Sequence, residues 1–152
     1  MAILNFQKPD KIILQKATDF EAQFEFRPLE PGYGVTIGNA LRRVLLNSLE
    51  GYAIVGIRIE GVDHQFATMK GITEDVLEII LNLKQVRFKK KVEHEVGQEK
   101  VSLSIKNKTE LTAAMIGDAT QSFEIMNPEL MICTLDTSAK LDIELTIAKG
   151  RG

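Results

Sequence analysis

The chain has 152 residues and a formal charge of −2, from 19 lysines and arginines against 21 aspartates and glutamates. Its 44% hydrophobic and 26% charged residues are typical of a globular protein and exclude an intrinsically disordered chain. The nearly balanced charge disfavours a general affinity for nucleic acid, which needs a basic excess or a basic face.

The first predicted element is a strand that ends before Pro28. Apolar side chains alternate there with polar and charged ones, the period of two expected when one face of a sheet is buried. The apolar set is Phe20, Ala22, Phe24 and Phe26. Pro28 and Pro31 end the strand because proline donates no ladder hydrogen bond. A glycine-rich turn is predicted over 32–34.

A helix is predicted over 36–49, and Gly51 is expected to close it. One stripe of it consists of Ile37, Leu41, Val44, Leu45 and Ser48, and Leu46 and Leu49 widen the apolar surface. Arg42 and Arg43 are adjacent on the same helix. Two interpretations are equally open. In the first, one face of the helix packs on a core, another face packs on a second apolar partner, and a charged edge lies between them. In the second, the helix is buried on both sides and the arginines extend to solvent.

From Tyr52 onward the pattern changes to short strands and turns. Alternating apolar residues predict strands over 55–59, 62–66, 86–88, 101–105 and 141–147. A tight turn at 60–61 would join the first two of them. The change of pattern near Gly51 predicts a domain boundary.

A second helix is predicted over 74–84. Thr73 is the expected N-cap, and Glu74 and Asp75 suit the positive end of the helix dipole. The residues of its core face are Val76, Ile79, Ile80 and Leu83. Few helices, many short strands and no regular alternation of the two predict the α+β class.

The sequence predicts no catalytic residue, metal site or cofactor site. The two histidines, His64 and His94, lack cysteines or carboxylates at metal-binding spacing. Cys133 lies in the apolar run 130–133, where we expect a small buried side chain rather than a reactive thiol. Its being the only cysteine fits a reducing compartment.

Membrane insertion and secretion are also not predicted. No apolar run approaches membrane-spanning length, and residues 1–6 lack the basic and apolar regions of a secretory leader. We therefore expect a cytoplasmic protein with no membrane partner.

Two patterns suggest alternative functions. The first is a glycine pattern at the start of a helix, formed by Gly32, Gly34 and Gly38. Dinucleotide-binding folds place a pyrophosphate at such a helix start, so one alternative is a nucleotide-dependent oxidoreductase. The alternating strand before the turn disfavours it, since a buried parallel strand would be apolar throughout. The basic run 87–91 suggests a nucleic-acid-binding protein, although lysines on a strand edge more often deter aggregation.

Four longer segments resemble bacterial RNA polymerase alpha subunits. They read PLEPGYG at 28–34, TIGNALRRVLL at 36–46, GITEDVLEIILNLK at 71–84 and PELMIC at 128–133, and the closing KGRG at 149–152 matches as well. The most specific part is the run Gly-Asn-Ala-Leu-Arg-Arg. The resemblance covers essentially the whole chain, and Tyr33, Val35 and Lys149 are positions where relatives commonly differ.

This resemblance implies a non-catalytic assembly subunit of DNA-dependent RNA polymerase. In that family an alpha dimer is the platform for the beta and beta-prime subunits, which carry catalysis. Arg42, Arg43 and Lys84 match positions that contact a large subunit. The dimerisation helix would use Ile37, Leu41, Val44, Leu45 and Leu49. The resemblance implies no cofactor.

The resemblance also implies two subdomains. Residues 1–51 would be the first part of a dimerisation subdomain, 52–149 an inserted mostly-β subdomain with one helix, and 150–152 the start of the return. Alpha subunits continue beyond this point, complete the dimerisation subdomain and add a DNA-binding domain. We therefore expect a truncated fragment of the amino-terminal domain that lacks the part contacting DNA.

Overall fold

A computed structural model describes residues 6–18 and 21–151, and it confirms the predicted α+β class. In chain order the elements are β1 (Lys11–Ala17), β2 (Ala22–Arg27), α1 (Tyr33–Asn47), β3 (Glu50–Ile59), α2 (Val76–Leu83), β4 (Phe88–Lys90), β5 (Gln98–Lys106), β6 (Glu110–Thr112), α3 (Ala113–Ala119), β7 (Phe123–Ile125), β8 (Met131–Thr134) and β9 (Lys140–Arg151). The chain divides into two compact units, Met1–Leu49 and Glu50–Gly152.

The first unit contains the antiparallel hairpin β1–β2 and helix α1. Strand β2 ends before Pro28 as predicted, while Phe20 lies outside the described residues. The expected buried face of this strand is not formed, because Phe24 and its cross-strand neighbour Leu14 are both exposed. A two-stranded hairpin has too little surface to bury one face by itself.

Helix α1 begins three residues before its predicted start, at Tyr33. Gly32 precedes it with φ = 87°, a left-handed conformation that glycine adopts at little cost. The predicted turn over 32–34 is therefore wrong for Gly34, which lies in the first helical turn. The helix ends at Asn47, and the expected closing residue, Gly51, lies in β3 instead.

The second unit is built on the antiparallel sheet β3–β9–β5. The predicted strands over 101–105 and 141–147 are confirmed as parts of β5 and β9. Their buried and exposed residues alternate as expected of a sheet with one covered face. Helices α2 and α3 and the short ladders β4–β7 and β6–β8 complete the unit. The most deeply buried side chains include Ile79, Leu83, Leu111, Ile116, Phe123, Ile132, Leu145 and Ile147.

Two predicted strands differ from the structure. Residues 62–66 form turns and bends instead of a return strand, and Phe66 in this loop is 71% exposed. The strand predicted over 86–88 is β4, which begins only at Phe88, because Val86 follows a turn at the end of α2.

Asp75, and not Thr73, is the N-cap of α2. Its carboxylate accepts a hydrogen bond from the backbone N–H of Glu78 at 2.7 Å. Glu74 was expected to lie in the helix, but it precedes the helix. Its side chain accepts hydrogen bonds from the backbone N–H and the hydroxyl of Thr134, at 2.6 and 3.1 Å, and so ties the start of α2 to β8.

Removing this cap should destabilise the second unit. We expect Asp75→Ala to lower the free energy of unfolding by about 0.5–2 kcal/mol, because an N-terminal helix N–H loses its acceptor. Urea denaturation measures the change, and Thr73→Ala is the matched control. A larger loss for Thr73→Ala than for Asp75→Ala would contradict the assignment of the cap.

Candidate interaction surfaces

The largest uncovered apolar feature of the first unit is helix α1, which has no buried residue. Ile37 is half-buried, whereas Leu41 and Leu45 are 54% and 62% exposed, and Val44 is exposed as well. In the described chain, neither the core face that both interpretations require nor a second face of the helix is buried. Monomeric proteins rarely leave such contiguous apolar surface uncovered.

The extent of this apolar stripe differs slightly from the prediction. Leu49 lies beyond the end of the helix, after the C-cap residue Ser48. Leu46 is helical but is rotated by about 100° from Leu45, so it extends the apolar surface to another side of α1. Both are exposed.

Arg42 and Arg43 are both exposed on α1. Arg42 lies beside the stripe, about 60° around the helix from Leu45, whereas Arg43 lies about 160° from Leu45. Neither forms an ion pair with any residue in the described ranges. An arginine without an internal partner keeps all of its N–H donors for a carboxylate elsewhere. This part of the helix can therefore bind an acidic protein surface.

Lys84 belongs to the second unit, where it is the C-cap residue of α2. Its positive charge suits the negative end of the helix dipole. It also lines a groove of about 150 Å³ between α2 and one edge of the sheet. The other lining residues are apolar: Ile54, Val55, Gly56, Ile57, Ile80 and Leu83. This groove could not be predicted from the sequence, because its two walls are about 25 residues apart in the chain.

An ion-pair cluster joins the start of β3 to the end of β9, which are paired in the sheet. Lys149 contacts Glu50 at 2.7 Å and Glu95 at 3.0 Å, and Arg151 contacts Glu50 at 3.1 Å. The hydrogen bonds from Lys149 and then Arg151 hold the pKa of Glu50 below its ordinary value. These exposed pairs add little stability.

No group of three metal-ligating side chains occurs in residues 6–18 and 21–151. The glycine pattern does not form a dinucleotide-binding arrangement either, since β2 pairs antiparallel with β1 and Gly34 and Gly38 lie inside α1. In the basic run, Lys89 lies opposite Glu124 in the β4–β7 ladder. None of the helices that the structure describes has the length and apolarity needed to cross a bilayer.

Cys133 is fully buried, which confirms the expected small core side chain. Burial, and secondarily the charge of Glu74, raises the pKa of the thiol to about 12. Only the thiolate is strongly nucleophilic, so this side chain is unsuited to covalent chemistry at neutral pH.

The raised pKa makes stability depend on pH in the alkaline range. The thiol ionises near pH 9 in the unfolded protein and near pH 12 in the folded one. Its contribution to the free energy of unfolding is therefore fully present below pH 9 and is lost as the pH rises from 9 to 12. We expect the free energy of unfolding of the wild type to fall more steeply over this range than that of Cys133→Ala. Urea denaturation at a series of pH values measures this free energy. If it falls equally steeply with pH for both proteins, the raised pKa of the Cys133 thiol is contradicted.

A comparison with known protein families shows to which family the chain belongs. The family model described as the RNA polymerase Rpb3/RpoA insert domain matches residues 57–152, well over half of the chain and entirely within the second unit. The chain belongs to this family.

Individual relatives extend the similarity to the first unit. The chain is 59% identical over all 152 residues to the DNA-directed RNA polymerase subunit alpha of Flavobacterium psychrophilum and to that of Bacteroides fragilis. It is 57% identical to that of Cytophaga hutchinsonii. The chain covers 46% of each relative and thus spans about half their length. The predicted resemblance to bacterial alpha subunits is confirmed.

Proposed function

We propose that the chain acts in a non-catalytic assembly subunit of DNA-directed RNA polymerase. Two copies would form a dimer, and the dimer would hold the beta and beta-prime subunits. The similarity to alpha subunits over the whole chain supports this proposal. The observation that carries it is the uncovered apolar surface of α1.

The stripe on α1 would be the dimerisation surface. Burying one large apolar side chain is worth roughly 1.5–3 kcal/mol, so covering the stripe with a second copy is strongly favourable. Within this proposal, residues 1–51 form the first part of a dimerisation subdomain. Residues 52–149 are inserted into it, and residues 150–152 begin the return. Ion pairs that join β3 and β9 suit such an insertion, because they hold its entry and exit together.

Charged residues would bind the large subunits. Arg42 and Arg43 border the apolar surface of α1, and Lys84 borders the groove of the second unit. RNA synthesis would be performed by the large subunits, and DNA would be contacted by a separate domain outside these residues. The complex would work in the cytoplasm, associated with the nucleoid.

We expect Arg43→Ala to weaken assembly with a large subunit while the dimer persists. Loss of an interface arginine commonly costs about 1–4 kcal/mol, or roughly 5- to 1000-fold in affinity. The test uses the complete gene product that contains this chain, titrated with large subunits and analysed by gel filtration. Arg27→Ala, at an exposed arginine of β2, is the control. Unchanged assembly at limiting concentration would remove Arg43 from the contact.

A further inference from the structure

We infer that the open edge of β3 binds an extended segment of a partner protein as an added strand. The segment would be apolar at its centre and acidic at the end that lies beside Lys84. The inference rests on the proposed function, within which the segment belongs to one of the large subunits.

The first observation is that β3 is an edge strand. The sheet order is β3–β9–β5, and every pairing of β3 is with β9. Among the described residues no strand pairs with the other side of β3. In an antiparallel ladder, alternate residues direct their N–H and C=O groups away from the neighbouring strand. This edge therefore offers free backbone donors and acceptors.

The second observation is that this edge lacks charged protection at its centre. At the opposite edge of the sheet, β5 carries Lys100 and Lys106. By contrast, β3 has no charged residue from Gly51 to Ile57, and Val55 at its bulge is 63% exposed. Folded proteins protect edges with charges, bulges or covering elements, because a bare edge recruits other chains. Along the centre of β3 the bulge is the protective feature, and the uncharged residues on either side of it can accept an added strand.

The third observation is a groove that follows the edge. The groove beside Lys84 adjoins a second one of about 270 Å³, since both are lined by Ile57 and Ile80. Together they extend along residues 54–59, about 20 Å of strand at roughly 3.3 Å per residue. A groove between an edge strand and a helix suits strand addition, in which backbone hydrogen bonds give affinity and side-chain pockets give specificity.

The charge at one end of the groove selects the occupant. Lys84 lines that end and has no ion-pair partner in the described chain. At the other end Arg58 is accompanied by Asp63 and lies opposite Glu144 of β9, so its charge is balanced. The apolar residues Ile54, Ile57 and Ile80 line the groove between these ends. A segment with an apolar centre and an acidic side chain near Lys84 matches this arrangement.

Amide hydrogen exchange tests strand addition directly. The complete gene product is measured alone and in its complex with the large subunits, with single-residue resolution over 54–59. We expect the amides directed away from β9 to exchange at least tenfold more slowly in the complex, while those bonded to β9 change little. Unchanged exchange of the outward amides in a complex that has formed would overturn the inference and leave the proposed function intact.

Substitutions test the charge and the shape of the site. We expect Lys84→Glu and Val55→Lys each to weaken large-subunit binding at least tenfold. The controls Lys106→Glu, at the other edge of the sheet, and Met126→Lys, at an exposed apolar residue outside the groove, should bind normally. Equal effects of the test and control variants would overturn the inference.

Two further outcomes are decisive. Outward-amide protection that rises with the concentration of the gene product alone would assign the edge to a second copy and overturn the partner named here. Failure of the wild type to form any complex would overturn the proposed function together with this inference.

Discussion

Replacing Leu45 with aspartate should dissociate the proposed dimer into monomers at concentrations where the wild type stays associated. Leu45 is an exposed residue of the apolar stripe on α1, and a carboxylate there would lose its hydration on dimerisation without gaining a partner. We expect a loss of about 2–4 kcal/mol, or roughly 30- to 1000-fold in the dimer dissociation constant. Sedimentation equilibrium of the complete gene product measures it.

Asn39→Asp is the matched control for this prediction. Asn39 is an exposed residue of the same helix, but it lies about 120° or more around the helix from every residue of the stripe within α1. The control should therefore dimerise like the wild type. If Leu45→Asp also dimerises normally, or if both variants dissociate equally, the stripe is not the dimerisation surface.

The largest effect on stability is expected for Phe123→Ala. Phe123 is fully buried, and its ring centroid lies 4.7 Å from that of Tyr52 and 5.8 Å from that of Phe88. It therefore joins the start of β3 to the β4–β7 ladder. Truncating a buried phenylalanine costs about 3–5 kcal/mol, a large part of the 5–15 kcal/mol by which a typical domain is stable.

Urea denaturation of the chain, followed by circular dichroism, measures this loss. Phe66→Ala is the control, since Phe66 is an exposed aromatic residue of the same unit and should change the free energy of unfolding by less than about 0.5 kcal/mol. Similar losses for the two variants would show that Phe123 does not hold the core together.

The long elements of the second unit could be predicted from the sequence because their burial is periodic. In β9, Leu141, Ile143, Leu145 and Ile147 alternate with polar residues and all four are buried. The core face of α2 was predicted for the same reason, with Val76, Ile79 and Leu83 at helical spacing. When only one face of an element is buried, its apolar residues recur at the period of that strand or helix. Both β9 and α2 have one buried face, so the sequence shows that period.

Short and non-local features left no such signal. Strands β6 and β7 have three residues each, too few to show a period, and the seven-residue helix α3 was also missed. The N-cap was assigned to Thr73 because Glu74 was expected to be helical. In fact Glu74 binds Thr134, 60 residues away, and no local rule predicts that contact.

Only some of the candidate surfaces could be predicted from the sequence. The leucines and valine of α1 indicated more apolar surface than a simple surface helix needs, and Leu41 and Leu45 are exposed. The roles of Arg42, Arg43 and Lys84 came from the resemblance alone and remain predictions. The groove along β3 depends on tertiary packing, which the sequence pattern does not reveal.

The central claim, that the chain belongs to an assembly subunit, is tested most directly by coexpressing the complete gene product with beta and beta-prime. The complex is purified through a tag on beta-prime, and its mass is measured by native mass spectrometry. The proposed function predicts a complex with two copies of the gene product, one beta and one beta-prime, which fails to form when the gene product is omitted. Beta and beta-prime that associate equally well without it would contradict the claim.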